Sequence, residues 1–155
     1  MDIKRESTVV QRSVEDLSQE DHTLIQYAGE AADRAYAPYS NFRVGAALEL
    51  EDGTIVSGNN QENAAYPSGL CAERVAVFAA KANHPNTNIN KLMIVVKTEK
   101  ELKQGFTPPC GSCLQVLWDV QNRQQSYISI HIQASDGAVY SVQNVNQFLP
   151  FGFEL

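Results

Sequence analysis

Three cysteines are all that this 155-residue chain contains, and each stands where a helix is expected to begin. Cys71 opens the run Cys71-Ala72-Glu73-Arg74; Cys110 and Cys113 lie in Pro108-Pro109-Cys110-Gly111-Ser112-Cys113. Residues three apart in a first helical turn share a face, so the thiolates of Cys110 and Cys113 reach a single ion. Zinc takes four protein ligands in structural sites but three plus a water in catalytic ones, and three cysteines match the second count. Glu73, just inside a helix from a metal ligand, is placed to take a proton from water and deliver it elsewhere. Side chains two apart on a regular helix face different ways, so Cys71 is expected at the very edge of its turn. Three thiolates around one divalent ion carry a net negative charge. The positive ends of two helices, each worth roughly 0.3–1 kcal/mol to a nearby anion, and a donor from Arg74 offset part of it.

Composition narrows the partners. The chain is 43% hydrophobic and 19% charged with a formal net charge of −6, which describes a globular domain without an apolar run long enough to span a membrane. Clustered Lys and Arg, the mark of a surface that grips a phosphate backbone, are missing, so no nucleic acid is expected as partner and a small uncharged substrate suits the chain better. The start, Met1-Asp2-Ile3-Lys4-Arg5-Glu6, lacks the basic-then-apolar pattern of a secretory signal, and a reducing cytoplasm is expected. There the cysteines are thiols or metal ligands rather than disulfides. His22, His84 and His131 are expected to be structural or solvent-facing, not ligands.

The elements that must hold these residues follow from periodicity. Residues 1–18 are expected to form an arm in which Ser7–Ser13 has the composition of a short strand, and residues 19–155 a single domain. Ser18, with Asp21 three residues on, caps a predicted helix over Gln19–Tyr36, which Pro38 stops. Val44–Leu50 and Thr54–Gly58 flank Glu51-Asp52-Gly53, a strong hairpin signal. Cys71–Ala82 is predicted as a helix buried against a sheet, and Leu92–Val96 as an interior strand covered on both faces. Pro109 is placed like a first-turn proline for a helix over Cys110–Val120. Strands are predicted over Tyr127–Gln133 and Val139–Val142, then a short helix over Val145–Phe148. The expected fold class is α/β, with three layers, α/β/α, around a mixed sheet of about five strands.

Cys71-Ala72-Glu73 and Pro109-Cys110-Gly111-Ser112-Cys113 together resemble the zinc nucleoside deaminases, specifically the small homotetrameric cytidine deaminases. The likeness runs from about Tyr36 to Phe153 and includes Ala37–Ala47, Gly58–Tyr66 and Leu149–Phe153. It implies zinc-dependent hydrolytic deamination of cytidine and deoxycytidine to the uridines, with ammonia released. It also implies that Cys71, Cys110 and Cys113 hold Zn2+, and that Glu73 carries protons from the activated water to the ring nitrogen and the leaving amine. The same resemblance assigns Asn60 and Glu62 to ribose hydroxyls, the backbone of Ala72 to the pyrimidine carbonyl, and Phe42 to the base. Tyr66 matches a position near the substrate and subunit contacts, and Phe153 one that stacks in a neighbour's site. Many members read Cys-Arg-Gln where this chain has Cys113-Leu114-Gln115, so one positive charge beside the site is missing, and the arm is longer than usual. Deaminases of modified nucleosides such as blasticidin share the architecture, and only a substrate panel separates them.

Overall fold

The computed structural model describes residues 2–102 and 104–154; Met1 of the expected arm and Leu155 of the expected 19–155 domain lie outside the described residues. The chain order is β1 (Val10–Arg12), α1 (Gln19–Asp33), β2 (Arg43–Leu50), β3 (Ile55–Asn59), α2 (Ala72–Asn83), β4 (Ile89–Lys97), α3 (Gly111–Gln124), β5 (Ser129–Gln133) and β6 (Val139–Val142). The sheet runs β1-β6-β5-β4-β2-β3, antiparallel throughout except where β4 and β5 pair in parallel. That one parallel pair is joined through α3, the crossover a parallel connection requires.

Alternation along the strands sorts the layers. Ala46, Leu48, Leu92, Ile94, Ile130 and Ile132 point to the face covered by α2 and α3, while Ala47, Met93 and Val95 meet Leu24 and Ala28 of α1 on the other. Both faces of β4 are buried, as its unbroken apolar run predicts.

The sheet has six strands rather than about five. The sixth is β1, in the arm, with Val10 opposite Ser141 and Arg12 opposite Val139 on the edge of β6. Its three residues are mostly exposed, so no buried alternation announces them; they are held by backbone pairing to an edge that would otherwise stand open. Ser18 caps α1 as its spacing predicts, accepting the Asp21 N–H at 3.1 Å. The helix stops at Asp33 rather than Tyr36, because Tyr36 is taken by the chain after β3: its N–H donates to the Asn60 carbonyl and its carbonyl accepts from Glu62 N–H.

A polar cluster lies buried under the arm. His131 of β5 has Nδ1 3.1 Å from Arg12 and 2.9 Å from Ser141 Oγ, with Nε2 3.1 Å from Ser129 Oγ. Arginine only donates, so Nδ1 is the acceptor and the ring is neutral. Lys91 of β4 and Asp21 of α1 complete the surroundings through a 2.6 Å ion pair, which with the nearby charges holds the Asp21 carboxyl below its ordinary range despite burial. Burial depresses His131 to about 4, and the charges of Lys91 and Arg12 push the same way against Asp21. The unfolded chain, with an ordinary value near 6.5, binds the proton more readily than the folded one between pH 6.5 and 4. Stability therefore falls as pH falls through that window, by about 3 kcal/mol in all. Urea unfolding at pH 7 and pH 4.5 measures it. His131→Asn is expected to flatten the loss, and an equal loss in wild type and variant would count against this assignment.

Candidate active site

Both cysteine segments begin helices in the same way. Cys71 is the N-cap of α2 and Cys110 the N-cap of α3, each extended (ψ 155° and 163°), and neither helix start receives a side-chain cap. The first-turn N–H groups and the positive ends of both helices thus face the thiols. The extended backbone at Cys71 resolves the spacing problem: Cys71 is not on the helix, so the two-residue rule does not separate it from Glu73. Pro109 is buried one residue before the cap rather than in the first turn. Gly58 of β3 admits α2 at this distance, since a Cβ there would stand 2.5 Å from Ala76 N and 2.9 Å from the Ala72 carbonyl.

The three sulfur atoms all lie within 4.8 Å of one another. Cys71 Sγ is 3.8 Å from Cys110 Sγ, and Cys110 Sγ is 3.5 Å from Cys113 Sγ. Tetrahedral zinc with Zn–S bonds near 2.3 Å spaces its sulfurs about 3.8 Å apart, close to both of these separations, so the trio suits that ion. The neighbouring Cys113 thiol, with the Arg74 guanidinium, brings Cys71 down to about 5 against the effect of burial, and Cys71 together with burial pushes Cys113 up. Glu73 is 6% exposed, and burial with the Cys71 charge raises it to about 7, the neighbouring Cys113 thiol acting the other way. It is a carboxyl poised to exchange a proton near neutral pH.

In front of the thiols opens a cleft of about 440 Å³, lined by Tyr39, Ser40, Asn60, Glu62, Tyr66 and Arg74 among others. Gln61 is among its lining residues and pairs with both Tyr36 and Leu70, the latter through N–H to O contacts of 2.9 and 3.0 Å. With Gln61 extended between them, Asn60 and Glu62 lie on one side. Asn60 bridges the start of β2, accepting Val44 N–H at 2.9 Å and donating to the Phe42 carbonyl at 2.8 Å. Glu62 accepts from the N–H groups of Tyr39 and Ser40 and from the Ser40 hydroxyl, which together hold its carboxyl below the ordinary range.

The cleft thus collects Asn60, Glu62, Tyr66, Cys71 and Arg74, with Cys110, Cys113 and Glu73 grouped around Cys71. Ala72, fully buried, is the first residue of α2. Two residues lie apart from this wall. The Phe42 ring is partly buried against the main core, and Phe153 lines a separate groove over α2 and α3. Leu114 is buried in the core. Sequence reading missed Ser40, whose hydroxyl and N–H hold Glu62; it sits in a stretch legible only as a loop.

The family model described as "Cytidine and deoxycytidylate deaminase zinc-binding region" matches residues 18–129. The cytidine deaminase of Halalkalibacterium halodurans is 42% identical over 94 residues, covering 61% of this chain and 67% of that protein. That of Sporosarcina psychrophila is 44% identical over 99 residues, 64% of this chain and 68% of the relative. Among solved structures, the cytidine deaminase of Burkholderia pseudomallei superposes with a TM-score of 0.74 at 34% identity, over 88% of this chain and 100% of that one. With its three thiols spaced for zinc and a matching model across most of its length, the chain belongs to the cytidine and deoxycytidylate deaminase family.

Proposed function

We propose that this protein deaminates cytidine and deoxycytidine hydrolytically to uridine and deoxyuridine, releasing ammonia, in pyrimidine salvage. The observation that carries the reading is the buried Glu73 carboxyl two residues from Cys71 in a cysteine trio spaced for zinc, beside a cleft. Cys71, Cys110 and Cys113 hold the ion, and Arg74 stabilises the Cys71 thiolate. Zinc there supplies the Lewis acidity that makes water a nucleophile near neutral pH. Glu73 would carry one proton from the attacking water to the ring nitrogen beside C4, and then a second, from the new C4 hydroxyl, to the departing amine. A C–O bond forms at C4, the C–N bond breaks, and water plus nucleoside balances uridine plus ammonia.

The other residues bind and orient. Asn60 keeps one amide hydrogen and one lone pair beyond its backbone bonds, and Glu62 keeps an acceptor position beyond its three donors; together they suit a ribose diol. The Ala72 N–H, in the first turn of α2, has no intrahelical partner and suits the pyrimidine carbonyl. Phe42 is assigned to the base by the family resemblance, its carbonyl held by Asn60; Tyr66 closes the rim, and Phe153 reaches the site of a second copy in a homotetramer. Residues 19–155 serve as the catalytic domain and the arm, 1–18, as a cover for the β6 edge. A cytoplasmic location fits the free thiols, and no helix among the described residues is long and apolar enough to cross a membrane.

Ammonia release tests the substrate class. Cytidine and deoxycytidine are expected to react, whereas their 5′-monophosphates are expected to be poor, because Glu62 faces the cleft and Arg74, its one cationic lining residue among those described, is turned to the thiols. Exclusive turnover of deoxycytidylate would overturn the nucleoside reading.

A further inference from the structure

Gln115 lies on α3 two residues beyond Cys113, and its side-chain amide makes a two-point contact with the backbone of Phe153. Nε2 donates to the Phe153 carbonyl at 2.9 Å, and Oε1 accepts from the Phe153 N–H at 2.9 Å. The preceding residue adds a second constraint. Gly152 packs onto the Trp118 ring so closely that a Cβ would come within 2.3 Å of the indole, so any larger residue would force the two apart.

The chain is thus held at two successive residues, yet the Phe153 ring is 68% exposed. An aromatic ring kept in water on a fixed backbone is a preorganised anchor, with apolar area still to bury and little ordering left to lose on binding. Its own cleft is not what it serves. Phe153 does not line that cleft, and instead joins Phe78, Val116 and Trp118 along the groove over α2 and α3.

We infer that Gln115 is a positioning residue that presents the Phe153 ring to a nucleoside bound in a second copy of this chain, an inference that rests on the activity and assembly proposed above. The primary amide, with its donor and acceptor side by side, matches both backbone groups at once, whereas an ionised carboxylate cannot donate and an aliphatic chain can do neither.

Steady-state kinetics on purified Gln115→Leu, Phe153→Leu and the double variant test it. Gln115→Leu is expected to raise KM for cytidine about tenfold, as for two lost hydrogen bonds, with kcat within about twofold of wild type. In the Phe153→Leu background the same change is expected to cost less than about twofold, since the clamp then has no ring to place. An unchanged KM in Gln115→Leu, or a full tenfold effect in the Phe153→Leu background, overturns the inference. A wild-type protein that deaminates no cytidine overturns the functional reading instead. Amide hydrogen exchange at Phe153 then scores the clamp alone: its protection is expected to fall at least about tenfold in Gln115→Leu, and unchanged protection refutes it.

Discussion

Replacing Glu73 by Gln is expected to lower kcat for cytidine by about a thousandfold or more while leaving KM, the fold and bound zinc in place. A single positioned acid or base contributes roughly 10²–10⁴-fold, and Glu73 is asked to serve successive proton transfers, which argues for the upper part of that range. The glutamine keeps the shape and the hydrogen bonding of the neutral carboxyl but cannot carry a proton. Stability is not expected to fall. Burial already disfavours the charged form of Glu73, raising it to about 7, so a neutral amide removes a desolvation cost rather than a stabilising charge. Turnover, zinc content and Tm measured on one preparation separate the effects. Undiminished turnover in this variant would remove Glu73 from the mechanism.

The second large effect concerns the metal. Chelation, or Cys110→Ala, is expected to abolish deamination. Cys110 is the informative choice because it is exposed, so truncating it leaves no buried cavity to confuse loss of metal with loss of packing. The apo protein is expected to stay folded, since the core around Leu48, Leu92, Ile94 and Ile130 is built from apolar side chains of the sheet and helices. It is also expected to melt lower, because the ion joins the starts of α2 and α3. A ligand at a thousand times its Kd contributes about 4 kcal/mol, or about 10 °C in a domain of this size. Full activity after chelation would contradict a catalytic role for the cluster.

Much of this site is legible in the residues because its chemistry and its local structure coincide. The cysteines that bind are also those that cap α2 and α3, so spacing, ligand type and helix start point the same way. The hairpin at Asp52-Gly53 and the apolar run of β4 are equally local signals, and both are present. What eluded the sequence is long-range pairing. β1 exists because β6 offers an edge across more than a hundred residues, and α1 ends early because Tyr36 meets Gln61. The grip of Ser40 on Glu62 joins two loops and that of Gln115 on Phe153 joins α3 to the tail, and no periodicity encodes either proximity. The assignments that rest on such contacts, Phe42 and Phe153 above all, are the ones that resemblance alone supplied.

X-ray absorption at the zinc edge of the purified protein, with metal content determined on the same sample, tests the central claim most directly. The expected result is about one zinc per chain with three sulfur neighbours near 2.3 Å and one lighter neighbour, the open position that hydrolysis requires. A shell of four sulfurs, or zinc bound without sulfur, would contradict a catalytic centre built from Cys71, Cys110 and Cys113.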